Sequence, residues 1–335
     1  MYLFGGLMKR WAFLFTLFAA LSCEAIDQPV TPEWDNLSWI LLDSSIKIPI
    51  SYKTVYEECF GEGNSLRLNQ SMCISSNRIF CFNDGTSAHV FDYTTKKNIS
   101  SKELPEHSHH NNAQFTDCFL QDDSQYPLLL LSRGDYPPNR NDLYLVQVTE
   151  QEETIYFQRH KTIHNILSEA ANNGSWVVDE KNKRLFLYTM DSGDWRLKED
   201  NVFTIYEFKA PDFINEEDVT LGYADVVNSW KYSYLIHQGG TYYNGLLFFN
   251  VQNLKSIYDH KLTCSKCVIA IDANTGIIKA YLPLKESIET EGICVYDNKL
   301  YISFKNGSEK QWGNAIVFKI NEYDLPSLLF YYKGQ

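Results

Sequence analysis

From Gln70 onward the chain keeps returning to one hydrophobic pattern. A polar or glycine lead-in is followed by an apolar run, a turn, a second strongly apolar run, a third in which apolar and polar residues alternate, and a weaker fourth. Alternation at period two marks a strand, because successive side chains leave opposite faces of the pleat. The first copy reads Gln70–Ile74, Arg78–Phe82, Ala88–Tyr93 and Asn98–Leu104, and the second Asn112–Phe115, Pro127–Ser132, Asp142–Thr149 and Thr154–Arg159. The third runs Ser175–Asp179, Arg184–Thr189 and Val202–Phe208, closing near Asp218–Leu221; the fourth runs Gly240–Tyr243, Leu246–Asn250, Val268–Asp272 and Ile277–Leu282. The fifth opens with Ile288–Phe304 and continues through Ala315–Ile320 and Ser327–Tyr332. Helical periodicity is confined to two short stretches, Ile163–Ala171 and Val251–Tyr258.

Small four-stranded sheets cannot bury both faces unless they stack on one another, and radial stacking does so while leaving only short edges. The pattern therefore predicts an all-β fold, a β-propeller of five four-stranded blades with six as the alternative, carrying small helical inserts. The turn Asp272-Ala273-Asn274-Thr275-Gly276 resembles the D-x-x-T-G turn between outer strands of many propeller blades. No Ser/Gly linker or charge run divides residues 70–335, so they read as one domain. Residues 23–69 read as an N-terminal tether with an extra strand at Ile46–Ile50, which joins the closing blade or starts a partial sixth.

The chain's charge and its N-terminus narrow the setting. With 30 Lys plus Arg against 42 Asp plus Glu, a net charge of -12 argues against nucleic acid as a partner. Met8-Lys9-Arg10, the apolar run Trp11–Leu21 and the small-residue end Ser22-Cys23 read as a secretory signal over residues 1–22. That apolar run is well short of the roughly 20 residues a spanning helix needs. Ala20-Leu21-Ser22-Cys23 resembles a loose bacterial lipobox, with Cys23 as the lipidated first residue of the mature protein; simple cleavage without lipid is the alternative. Export to the periplasm, the outer membrane or the cell surface follows, with membrane contact only through that lipid. Export permits disulfides among the 8 cysteines, and Cys264-Ser265-Lys266-Cys267 reads as a loop disulfide in preference to a metal clip. Cys118 and Cys294 read as small buried hydrophobes.

Blades set their first strands around a channel, so the polar lead-ins are the candidate ligand-binding positions. They are Gln70, Asn111 and Asn112, Asn172 and Asn173, His237 and Gln238, and Glu289 and Glu291. Carboxylate and amide oxygens are hard donors, so Glu291, Asn112 and Asn173 could together hold calcium. His110 belongs to the tract Glu106–Asn112, whose histidines suit a transition metal. Trp312, between Gly307 and Gly313, could stack on a sugar or peptide, as could Tyr136, Trp195, Trp230, Tyr242 and Tyr243.

"ETEG" at Glu289–Gly292, with "NKLYISF" at Asn298–Phe304, resembles segments of secreted propellers such as the calcium-dependent gluconolactonase and arylesterase group. That resemblance implies a channel-centred hydrolase with Glu291 as the candidate catalytic residue, although the aspartate base of that group is replaced here by His237-Gln238. A glycosidase would need two or three channel carboxylates, and only the fifth repeat supplies clear ones, with Glu169 as a further candidate. The whole chain resembles exported bacterial propeller proteins without an assigned activity. The expected role is a ligand-binding or scaffold protein for a small molecule, glycan or protein.

Overall fold

The computed structural model describes residues 52–60, 69–134, 141–167, 172–190, 202–215, 217–233, 236–255, 262–284, 289–305 and 316–324. The strands are β1 (Tyr52–Phe60), β2 (Asn69–Ser75), β3 (Arg78–Asn83), β4 (Ala88–Asp92), β5 (Asn98–Ser101), β6 (Ala113–Phe115) and β7 (Leu129–Ser132). They continue as β8 (Leu143–Gln151), β9 (Thr154–Asn165), β10 (Asn172–Asp179), β11 (Arg184–Met190), β12 (Val202–Lys209), β13 (Val219–Leu221) and β14 (Val226–Ser233). The last are β15 (Ile236–Tyr243), β16 (Leu246–Lys255), β17 (Leu262–Asp272), β18 (Ile278–Pro283), β19 (Glu289–Tyr296), β20 (Lys299–Lys305) and β21 (Ile316–Asp324).

Among the described residues the strands fall into antiparallel arrays of four: β2 to β5, β6 to β9, β10-β11-β12-β14, β15 to β18, and β19-β20-β21-β1. The first two arrays join through a short parallel contact of β5 with β9, Ser100 opposite Thr154. The last array closes with the N-terminal strand, since β1 pairs antiparallel with β21 from Tyr52–Tyr323 to Phe60–Ile316. Strands from the two ends of the chain thus share one sheet. This is a β-propeller.

The core lies between successive sheets, and period-two alternation builds it. Leu128 and Leu130 face the third array with Trp176 and Val178, whereas Leu129 and Leu131 face the first with Phe80 and Phe82. In the fourth array Leu247, Phe249, Ile269 and Ile271 pack on the third, while Phe248, Val268 and Ala270 pack on the fifth. A sheet buried on both faces needs near-continuous apolar runs, and this is why the second and third strands read as solid hydrophobic stretches.

Local chemistry sets the turns. Four hairpins carry positive φ at both central residues: Ser76-Asn77, Glu152-Glu153, Asn244-Gly245 and Asp297-Asn298. That conformation matches the right-handed twist of the flanking strands. In the predicted turn, the Asp272 carboxylate accepts from Asn274 N at 2.9 Å and Thr275 N at 3.1 Å, and Gly276 takes φ +69°. Asp92 does the same for Thr94 N at 3.0 Å and for Thr95 N at 2.7 Å, and Lys96 occupies the glycine's place at φ 60°.

Three expectations need correction. The helical inserts do not form among the described residues, where a 3-10 turn at Tyr223–Asp225 is the only helical element. Val251–Lys255 instead extends β16, because Val251 and Gln252 find ladder partners in Cys267 and Lys266; β9 likewise runs to Asn165. The outer strand of the third array is β14, not Asp218–Leu221: Trp230 and Tyr232 bury against the fourth array, while β13 leaves to pair in parallel with β9. Cys264 and Cys267 lie within the extended β17, not in a loop. Ile46–Ile50, Ser327–Tyr332, Trp195, Tyr136 and Glu169 lie outside the described residues.

Candidate functional site

The innermost strands are β2, β6, β10, β15 and β19, and their two ends differ in chemistry. At their leading ends the chains close on one another. Asn112 donates to Trp176 O at 2.8 Å and accepts from Gly240 N at 3.1 Å, joining three arrays through one amide. Gly239 takes φ +76°, and a Cβ there would lie 2.9 Å from Glu291 O and 3.5 Å from Asn111 O. A Cβ on Gly292 would stand 2.4 Å from Met72 N. These glycines are required because neighbouring inner strands pass too close for a side chain.

Glu291 is 1% exposed, and its Oε1 lies 2.9 Å from the Lys305 ammonium. Lys305 also donates to Asn69 O at 2.8 Å, tying β19 and β20 to β2. Asn69 is held in turn: its amide donates to Ser71 O at 2.9 Å and Phe82 O at 3.2 Å, and Ser303 Oγ donates to its side-chain oxygen at 3.2 Å. Burial pushes the Glu291 carboxyl up to about 8; the Lys305 charge pulls it back only in part, and Glu289 adds to the rise. Burial therefore favours the protonated form of Glu291 well beyond what an exposed glutamate shows.

The sequence candidates fall out as follows. Asn112 and Glu291 are both buried and meet around Gly239. Gln70 is half-buried on β2, and Glu289 is half-buried on β19 opposite Lys305. Asn173 and His237-Gln238 sit at the leading ends of β10 and β15 by backbone, their side chains outside the description. His110 is buried with Nε2 3.1 Å from Gly85 O, within a tract that docks on the first array through Gly85 N to Ser108 O at 2.9 Å. Its neighbours are engaged too: Glu106 pairs with Arg159 at 2.9 Å and His109 lies 3.4 Å from Asp84. Trp312 and Cys23 lie outside the described residues, and Trp230 is core.

Among the described residues no group of three or more His, Cys, Asp or Glu side chains could hold a metal. The Glu291 carboxyl faces an ammonium and both ends of the Asn112 amide bond to backbone, while the Asn173 side chain, the third calcium candidate, lies outside the described residues.

The trailing ends open instead. A cavity of about 320 Å³ takes lining from every inner strand: Cys73, Gln114, Val178, Tyr242 and Cys294. Phe115 and Tyr243 add rings, and Asp117, Asp179 and Glu180 set three carboxylates against Lys181. The walls are positioned by hydrogen bonds. Gln114 clamps β6 to β10, donating to Val178 O at 3.1 Å and accepting from Val178 N at 3.2 Å. Buried Asp179 accepts from Asn182 Nδ2 at 2.8 Å and lies 3.9 Å from Arg184. Burial and the hydrogen bond with Asp179 raise the Tyr242 hydroxyl's pKa. Glu180 receives the Asp117 amide and the Cys118 thiol, and burial with that bond pushes the thiol up to about 12. Cys118 is thus half-buried and hydrogen-bonded where the sequence suggested an inert buried hydrophobe; Cys294 is buried.

Sequence reasoning singled out the leading ends of these strands, whereas the cavity opens at their trailing ends. Polar lead-ins drew attention, yet they are polar because tightly packed backbones must satisfy one another. The signal for the cavity was the hairpin after each inner strand, where Asp179-Glu180 and Asn244-Gly245 follow apolar runs.

No protein-family model matches the chain, and no curated protein matches it. Among solved structures it is similar to glutaminyl cyclase of Myxococcus xanthus, at 12% identity and TM-score 0.43, covering 82% of this chain and 97% of that one. A putative oxidoreductase (glucose dehydrogenase) of Thermus thermophilus gives 8% identity and TM-score 0.38, covering 79% and 100%. Raptor of Chaetomium thermophilum gives 12% and 0.40, covering 81% of this chain and 29% of that one. Overlaps this loose carry no activity across.

Proposed function

We propose that the protein is an exported ligand-binding propeller of five blades that takes a small organic cation at the trailing ends of its inner strands. The observation that carries this reading is the cavity of about 320 Å³, lined from all the inner strands, at the opposite end from the closed leading ends. Its size is at the small end for ligand pockets. Three carboxylates attract an ammonium or guanidinium, and the faces of Tyr242, Tyr243 and Phe115 suit such a group. Export rests on Met8–Cys23, whose cysteine would anchor the mature chain if lipidated.

Binding is favoured over hydrolysis by the placement of the acids. Glu291 does not line the trailing-end cavity, and Asp179 is engaged by Asn182 and Arg184. Calorimetric titration with agmatine, which carries both an ammonium and a guanidinium, tests the reading against butyrate as the anionic control. Saturable binding of agmatine alone, weakened at least about tenfold by Asp117→Asn combined with Tyr242→Phe, is expected; tenfold corresponds to about 1.4 kcal/mol. Equal binding of both compounds, or none, overturns it.

A further inference from the structure

The cavity shares two of its strands with the seam where the ends of the chain meet. The first and fifth arrays touch along β2 and β19, which carry Cys73 and Cys294 into the cavity wall and are pinned at their leading ends by Lys305, bonded to both Glu291 and Asn69 O. We propose that this pin is a proton-controlled latch on the cavity: while Glu291 holds its proton the seam stays dry and the cavity wall is fixed, and loss of that proton loosens β2 from β19.

The geometry supplies the reason. Oε1 of Glu291 meets Lys305, whereas Oε2 is buried and, among the described residues, has no hydrogen-bond partner. A neutral carboxyl tolerates that position; an ionised one needs hydration, because a buried charge with an unsatisfied oxygen is far more costly than a buried neutral group. The charged groups around it are Lys305 on β20, Lys266 on β17 and Glu289 on its own strand. From β2 and β16 the groups described beside it are uncharged: the Asn69 carbonyl through Lys305, and the Asn250 amide, which donates to Glu291 O at 3.4 Å. The carboxyl's elevated pKa puts the change in mildly alkaline solution. Water reaching Oε2 enters where Gly292 packs on Met72, two residues from Cys294 and one from Cys73 in the cavity wall.

The latch does not need a ligand, but its role as regulation rests on the binding reading above, so the test has two arms. Cys81 and Cys294 are buried at this seam and report its opening. Their labelling rates by a small alkylating reagent are measured from pH 6 to pH 9 in the wild type and in Glu291→Gln, which mimics the protonated acid, and taken as a ratio to cancel the thiols' own ionisation. The ratio is expected to rise by about tenfold per pH unit from pH 6 towards 8, where the folded carboxyl titrates, and to level off above it. A flat ratio overturns the latch. Should Glu291→Gln not fold, hydrogen exchange in the wild type replaces it: amides of β2 and β19 should lose protection selectively against those of β11 and β12, and uniform loss overturns the latch. In the second arm agmatine affinity is expected to fall over the same range in the wild type alone. Agmatine affinity independent of pH overturns the regulatory role; a rising labelling ratio with no agmatine binding at any pH sinks the binding reading and leaves the latch standing.

Discussion

The side-chain amide of Asn112 bridges the carbonyl of Trp176 and the N–H of Gly240, at 2.8 and 3.1 Å, and so ties together three inner strands that belong to different sheets. Asn112→Ala leaves both backbone groups buried without a partner. Each such orphan costs about 1–3 kcal/mol, so urea unfolding should show a loss of roughly 2–5 kcal/mol. A loss below about 1 kcal/mol would mean water replaces the amide and the leading ends are not closed.

The paired turns at Asp92–Lys96 and Asp272–Gly276 predict opposite tolerance at one position. A Cβ on Gly276 would stand 2.2 Å from Trp230 Cγ, at φ +69°. Gly276→Ala should therefore cost at least about 3 kcal/mol, from overpacking added to the left-handed backbone. Lys96→Gly, at the equivalent φ of 60°, should leave stability within about 1 kcal/mol or raise it. Equal effects in thermal melts would contradict the turn equivalence.

Glu291 gives stability a pH dependence of defined sign. Its folded pKa of about 8 lies above its unfolded value, so the folded state binds more protons in between. Stability is therefore full below about pH 4.5 as far as this group is concerned, and declines as pH rises towards 8. Between pH 5 and pH 8 the group's share of the decline should be roughly 2–4 kcal/mol. Glu291→Gln should lack it, so the difference between the two proteins should grow with pH; parallel profiles would show an ordinary carboxylate.

Much of the fold was legible because a sheet buried on both faces writes its strands as apolar runs. Leu128–Leu131, Leu185–Tyr188 and Val268–Ile271 announce themselves in this way. What misled were segments whose form depends on partners distant in sequence: Val251–Lys255 looks helical alone but is drawn into β16 by Cys267 and Lys266, and β1 takes its place by pairing with β21 and packing Tyr56 on Phe91. The site was harder for the same reason. Nothing local to Glu291 reveals Lys305 beside it, and nothing local to Asp179 reveals Tyr242, because both neighbours come from other strands.

The most direct test of where a ligand sits is to fill the cavity. Val295 is half-buried on its wall, near the trailing end of β19. Calorimetry with agmatine on Val295→Trp, with folding checked by its melting temperature, should find binding abolished while the fold is kept. Undiminished binding to that variant would place the ligand elsewhere and contradict the account.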